Sequence, residues 1–92
     1  MHTDEYEISI SREINHCQQV VKKTRAKLEE RRQRFGMDYP EAVIAAADGR
    51  LSLQEKELAR WHDDFEALPQ WQQRLDEYRA ALAVMRISAS HF

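Results

Sequence analysis

The chain has few of the residues that define several protein classes. It contains one cysteine, two glycines and two prolines among 92 residues. A single cysteine cannot form an internal disulfide, so the chain has no disulfide framework of the kind found in small secreted domains. So few glycines and prolines, with 33% charged residues, are typical of a helical protein rather than a sheet or a disordered segment.

Long apolar runs are also missing. No run approaches the ~18 residues that a membrane-spanning helix needs. Residues 1–10 are acidic where a secretory leader would be basic. We therefore expect no membrane segment and a cytoplasmic location. A chain of this length forms one domain, 1–92, with a modest core, and we expect a second subunit to add stability.

The most regular pattern in the sequence lies between residues 10 and 35. Its positions recur at alternating intervals of four and three residues, which is typical of a long helix packed lengthwise against another helix. We call these eight positions the first stripe: Ile10, Ile14, Cys17, Val21, Thr24, Leu28, Arg31 and Phe35. Thr24 and Arg31 are its least apolar members, and we expect the Cys17 thiol to be buried.

Capping residues predict where the first two helices begin and end. We expect the first helix over 4–35, ending at Gly36. Residues 5–11 also fit a short strand because apolar and polar residues alternate there, but no second strand is predicted to pair with them. A capping box formed by Asp38 and Glu41, with Pro40 in the first turn, predicts a short helix over 39–48.

The last helix carries a second stripe and a proline. A capping box of Ser52 and Glu55 predicts its start, giving a helix over 53–87 that kinks or splits near Pro69, with a frayed tail over 88–92. The second stripe is Leu58, Trp61, Phe65, Leu68, Trp71, Leu75, Tyr78, Leu82 and Met85. Two intervals of three residues fall together at Pro69, so the stripe is predicted to rotate there.

Charge is segregated along the chain. Residues 12–34 carry eight basic and three acidic side chains, whereas residues 35–92 carry six and ten. The first stripe is flanked by Arg25, Lys27, Arg32 and Arg34, and the second by Glu55, Glu57, His62 and Asp64. Arg74, Arg79 and Arg86 fall opposite Asp4, Glu7 and Glu13. Opposite charges meet only in an antiparallel pair, so we predict an all-α, antiparallel helical hairpin that dimerises into a bundle.

Candidate catalytic and metal-binding residues do not form a recognisable site. His62 and Glu66 lie one helical turn apart, but no further histidine or cysteine accompanies them at a metal-ligand spacing. His16 and Cys17 are neighbours, and neighbours on a helix point about 100° apart, so they cannot share a proton. We therefore predict no catalytic residue, metal or cofactor, and a protein that is not an enzyme.

A protein interface is the preferred functional interpretation. Two packed helices cannot cover large aromatic side chains on both flanks, so we expect the second stripe to contact a second copy or another protein. The predicted interface residues are Trp61, Phe65, Trp71, Leu75, Tyr78, Leu82 and Met85. We expect a homodimer and a protein partner.

Nucleic-acid binding is the alternative. Its candidate residues are Lys22, Lys23, Arg31 and Arg32 on the basic face of the first helix. Ala45, Gly49 and Leu51 lie between two helices as in a helix-turn-helix. The helix that follows is acidic at Glu55, Glu57, Asp63 and Asp64, which argues against contact with phosphates. A purely structural homo-oligomer is the third interpretation.

Part of the sequence resembles a known group of proteins. Phe35-Gly36-Met37 is followed by Asp38 and Glu41, then by Gly49 with Leu51, and then by Trp61 and an amphipathic helix. This order is similar to the "yGMs-x-eeF…G-x-L…W" pattern of short prokaryotic helical proteins predicted to be antitoxin-like neighbours of small toxins. The resemblance covers residue 35 to about residue 82, and it implies a helical protein that binds and inhibits another small protein.

Overall fold

The computed structural model describes residues 2–90 of the chain, and side-chain exposure over residues 5–87. Its elements in that range are three helices: α1 (His2–Phe35), α2 (Tyr39–Ala47) and α3 (Glu55–Ser90). The predicted all-α class is therefore confirmed. The chain divides into two compact units, which we call unit 1 (Met1–Val21 with Gln70–Phe92) and unit 2 (Lys22–Pro69). Both units contain parts of α1 and α3, whereas α2 belongs to unit 2.

Helix α1 buries the first stripe as predicted. All eight stripe positions are buried or half-buried, and Cys17, Val21 and Thr24 are the least exposed at 1%, 5% and 7%. Residues 5–11 are helical, so the strand interpretation is wrong. The helix ends where Gly36 adopts φ +72° and donates its backbone N–H to the carbonyl of Arg32 at 2.8 Å. Glycine reaches this left-handed conformation without a steric penalty.

Helix α2 is short and packs through alanine. Asp38 is its N-cap, with extended backbone (φ −84°, ψ 168°), and its carbonyl accepts the N–H of Ala42 at 2.9 Å. The Asp38 side chain makes no capping hydrogen bond, so the predicted capping box is not formed. Ala42 and Ala45 are 0% and 1% exposed. Their small side chains allow α2 to approach its neighbours closely within unit 2.

The start of α3 differs from the prediction. Gln54, and not Ser52, is the residue whose carbonyl accepts the first helical N–H groups, from Glu57 at 3.0 Å and Leu58 at 3.1 Å. Leu51 and Leu53 on either side of Ser52 are both half-buried. Residues two apart share one side of an extended chain but lie on different faces of a helix, so this packing favours extended backbone there.

Pro69 does not split α3. The helix runs without interruption from Glu55 to Ser90, with Pro69 inside it, so of the two predicted alternatives, a kink and a split, the split is wrong. A proline removes one amide donor from the helix, while the hydrogen bonds on either side of it still form. The helix also continues past Ile87, so the predicted frayed tail over 88–92 is helical as far as Ser90. Residues 91–92 of that tail lie outside the described residues.

The second stripe does not rotate at Pro69. Intervals of four and three residues continue through buried and half-buried positions of α3: Glu57, Trp61, Asp64, Leu68, Trp71, Leu75, Tyr78, Leu82 and Met85. Asp64 therefore takes the position that the sequence pattern had assigned to Phe65, which is 39% exposed. A carboxylate can lie on this stripe because an arginine of α1 pairs with it, as described below.

Candidate functional site

Two ion pairs join α1 to α3 within unit 2. Nη1 of Arg31 lies 2.6 Å from Oδ2 of Asp64, and the two side chains are only 13% and 21% exposed. Nη1 of Arg34 lies 2.8 Å from Oε1 of Glu57. In these two pairs the residue number on α3 falls as the residue number on α1 rises. The predicted match between these flanking charges is confirmed for Arg34 with Glu57.

An aromatic cluster surrounds the first residue of α2. Trp61 is 1% exposed and stacks on Phe35, with ring centroids 5.3 Å apart and ring planes at 25°. The ring of Tyr39 lies 6.0 Å from that of Trp61 and 5.1 Å from that of Phe65. The Tyr39 hydroxyl is hydrogen-bonded to Nδ1 of His62 at 2.8 Å. Tyr39 therefore contacts three side chains of α3 and connects α2 to that helix.

Beside this cluster is a groove of about 410 Å³, which we call the unit 2 groove. It is lined by Leu28, Asp38, Tyr39, Pro40, Trp61, Phe65, Glu66, Leu68 and Pro69. All of these side chains are apolar or aromatic except Asp38 and Glu66. The sequence pattern singled out Trp61 and Phe65 but missed Tyr39 and Glu66. The available signal for Tyr39 was its position directly after a helix N-cap, where it can fold back against the neighbouring helix.

Arg32, whose charge interacts with that of Asp38, is hydrogen-bonded to Glu29 and not to Asp38. Arg32 donates two hydrogen bonds to Glu29, from Nε at 2.9 Å and Nη2 at 2.8 Å. These bonds, with a smaller one from Gln33, lower the pKa of Glu29 from 4.5 to about 2. The pKa of Arg32 is raised mainly by Glu29, and only weakly by Asp38. Neither Asp38 nor Glu66 forms an ion pair with the residues that the structure describes.

The seven predicted interface residues do not form one exposed surface. Trp61 and Leu75 are 1% and 3% exposed, so they are core residues within a single chain. Their positions on the stripe turn them toward α1, which explains their burial. Phe65 is exposed beside the unit 2 groove. The remaining predicted residues, Trp71, Tyr78, Leu82 and Met85, are half-buried in unit 1.

Unit 1 has its own contacts between α1 and α3. Trp71 meets His16 edge-on at 5.6 Å between ring centroids, and the guanidinium of Arg74 lies 4.9 Å from the centre of the Trp71 ring. Arg86 pairs with Glu7 at 3.2 Å, as the charge pattern predicted. In these contacts, too, the residue number on α3 falls as the residue number on α1 rises. A hollow of about 430 Å³ beside Trp71 is lined by both acidic and basic side chains.

The predicted nucleic-acid residues are not equally available. Arg31 is bound to Asp64 and Arg32 to Glu29, while Lys22 and Lys23 are exposed. Two of the four cations are thus already paired within unit 2.

The described residues contain neither a metal-binding cluster nor a membrane-spanning helix. No group of three or more His, Cys, Asp or Glu side chains among them could hold a metal ion. None of the helices, over the residues described, combines the length and apolarity needed to cross a membrane.

The fold and the groove together describe an all-α protein with an apolar, acid-edged groove in unit 2. No protein-family model matches the chain, and no curated protein or solved structure matches it either.

Proposed function

We propose that this chain is a non-enzymatic protein-interaction module that binds, and thereby inhibits, another small protein in an antitoxin-like manner. The unit 2 groove is the observation that carries this proposal. Phe65 is 39% exposed at its edge, although phenylalanine is among the residues most often buried. Concave sites with mostly apolar walls and a few polar groups are typical of binding sites.

The proposal includes an antiparallel hairpin and a homodimer. The antiparallel contacts found inside each unit support the hairpin. The dimer is supported by side chains of unit 1 that are more than half exposed: Tyr6 at 68%, Ile8 at 54%, Val84 at 62% and Ile87 at 60%. Contact with a second subunit would remove this apolar surface from water. We also propose a cytoplasmic location, because a single cysteine offers no internal disulfide.

Nucleic-acid binding through Lys22, Lys23, Arg31 and Arg32 is the second hypothesis. The pairing of Arg31 and Arg32 with carboxylates of the same unit makes it the weaker one. If it were correct, affinity would fall steeply with added salt and would weaken when Lys22 and Lys23 are replaced by glutamine.

A pull-down of the tagged chain from native lysate tests the proposal. The lysate is treated with nuclease, the eluate is identified by mass spectrometry, and the complex is sized by light scattering. We expect one co-purifying protein at near-equal stoichiometry. A homo-oligomer recovered alone would contradict the proposal and favour a structural role or nucleic-acid binding.

The double variant Trp71→Asp with Tyr78→Asp tests the half-buried surface of unit 1 separately. We expect it to weaken the dimer, because both side chains are only half-buried within one chain and a carboxylate at either position would oppose burial against a second subunit. If the folded variant keeps both its partner and its oligomeric state, these residues are not part of an interface.

A further inference from the structure

The walls of the unit 2 groove match a large apolar side chain. Its volume of about 410 Å³ lies in the range of ligand-binding sites. Tyr39 and Phe65, with ring centroids 5.1 Å apart, form a continuous aromatic wall. Pro40 and Pro69 also line the groove, and neither carries a backbone amide proton. Contact with these walls therefore relies on apolar packing.

The two carboxylates of the groove give it a negative edge. An N-cap aspartate ordinarily accepts a hydrogen bond from the first turn of its helix, but the Asp38 side chain makes no such bond. Its oxygen atoms are therefore available to a donor outside the chain. Glu66 is exposed on α3. None of the described residues that line the groove is basic.

We propose that the unit 2 groove binds a protein segment in which a large apolar side chain is adjacent to lysine or arginine. The apolar side chain packs against Tyr39 and Phe65, and the cation pairs with Asp38 or Glu66. This inference rests on the proposed function and names the chemistry of the partner. It predicts a positively charged partner surface around an exposed hydrophobic residue, since complementary charge favours encounter and register.

Two short peptides of opposite charge test the inference. The probes are acetyl-Lys-Phe-Lys-amide and acetyl-Glu-Phe-Glu-amide, titrated into the full chain labelled with ¹⁵N. Binding is followed through the backbone amide shifts of Tyr39, Phe65 and Glu66. Two exposed charge contacts of ordinary strength are expected to make the affinity for the basic peptide about tenfold higher than that for the acidic peptide at low salt. The preference is expected to shrink as sodium chloride is added.

Charge variants locate the effect in the groove. Glu66→Lys places one cation beside Asp38, so the groove edge has no net charge and the preference between the two peptides is expected to disappear. Asp38→Asn keeps a good N-cap residue and is expected to lower affinity for the basic peptide. Glu30→Lys makes the same charge change at an exposed position of α1 outside the groove, so it is the matched control and is expected to leave the preference unchanged.

Four outcomes would overturn the inference. Equal affinity for the two peptides, or shifts confined to residues outside the groove, would contradict the assigned chemistry. Shifts of groove residues on concentrating the protein alone would assign the groove to a second copy. A partner that co-purifies equally with the wild-type chain and with Glu66→Lys would reject this inference and leave the proposed function standing, whereas recovery of no partner at all would reject the function itself.

Discussion

Unit 2 and unit 1 are both built from segments of α1 and α3, but they differ in how much apolar surface they cover. Unit 2 adds α2 and buries Trp61 almost completely. Unit 1 buries Cys17 and Leu75, yet leaves Tyr6, Ile8, Val84 and Ile87 more than half exposed, whereas among the described residues of unit 2 only Ile44 is a large apolar side chain exposed to that degree. Two packed helices bury one apolar stripe on each helix. A third helix that packs against the pair buries side chains on a second side as well. The difference shows how strongly the burial of apolar side chains depends on the short α2.

The largest expected effect comes from the two tryptophans, one in each unit. Trp61→Ala removes a fully buried side chain that stacks on Phe35, and we expect it to destabilise the protein by about 3–5 kcal/mol. Trp71→Ala removes a half-buried side chain, and we expect roughly 1–2 kcal/mol. Urea unfolding measures both values. Equal losses of unfolding free energy would show that the two units bury their tryptophans to the same degree and would contradict the comparison.

The ion pair on the stripes of unit 2 is expected to have an intermediate effect. Asp64→Ala leaves the largely buried guanidinium of Arg31 without its partner, so we expect a loss of about 1–3 kcal/mol. Replacing both residues by leucine removes the unpaired charge and is expected to restore most of that stability. A double-mutant cycle in urea measures the coupling. Additive losses would mean that the pair contributes nothing beyond its separate side chains.

The turn between α1 and α2 gives a smaller effect, confined to unit 2. Gly36 has φ +72°, and a Cβ atom added there would meet no heavy atom within 4 Å. Gly36→Ala is therefore unfavourable for its backbone conformation alone, and we expect a loss of about 1 kcal/mol. Gly36→Asn is the matched control and is expected to lose less, because asparagine tolerates the left-handed region. A loss of stability larger than that of Trp71→Ala would show that the added Cβ atom makes a steric contact, which would contradict this explanation.

The smallest effect concerns the pH dependence of Glu29. Because hydrogen bonds from Arg32 lower its pKa from 4.5 to about 2, the stability that this pair contributes is complete above pH 4.5. It is lost as the pH falls through about 2. Carboxyl titration by NMR is expected to find the pKa of Glu29 raised toward its ordinary value in Arg32→Gln. Arg34→Gln, whose guanidinium pairs with Glu57, is the control and is expected to leave this pKa unchanged.

The sequence predicted α1 better than α3. The four-and-three spacing alone predicts the first stripe, including its polar members Thr24 and Arg31. On α3 the same spacing passes through Asp64, whereas an apolar pattern favours the neighbouring Phe65. Hydrophobicity alone cannot show that Arg31 neutralises Asp64 across the helix pair, so the stripe was displaced by one residue.

The candidate site was only partly predictable. Trp61 and Phe65 were identified from helical spacing, but the groove also needs Tyr39 from α2 and Glu66 from the flank of α3. The position of α2 depends on contacts with Ala42 and Ala45, whose small side chains carry no specific sequence signal. The start of α3 was misplaced for a related reason, since Leu51 and Leu53 pack as an extended segment before the helix begins.

The most direct test of the central claim, that this protein binds another protein through the unit 2 groove, is a pull-down with two matched variants. Phe65→Glu changes a groove residue that is 39% exposed, and Val43→Glu changes a residue outside the groove that is 38% exposed. We predict that one protein co-purifies at near-equal stoichiometry with the wild-type chain and with Val43→Glu, and is lost with folded Phe65→Glu. Equal capture by all three chains, or capture by none, would contradict the claim.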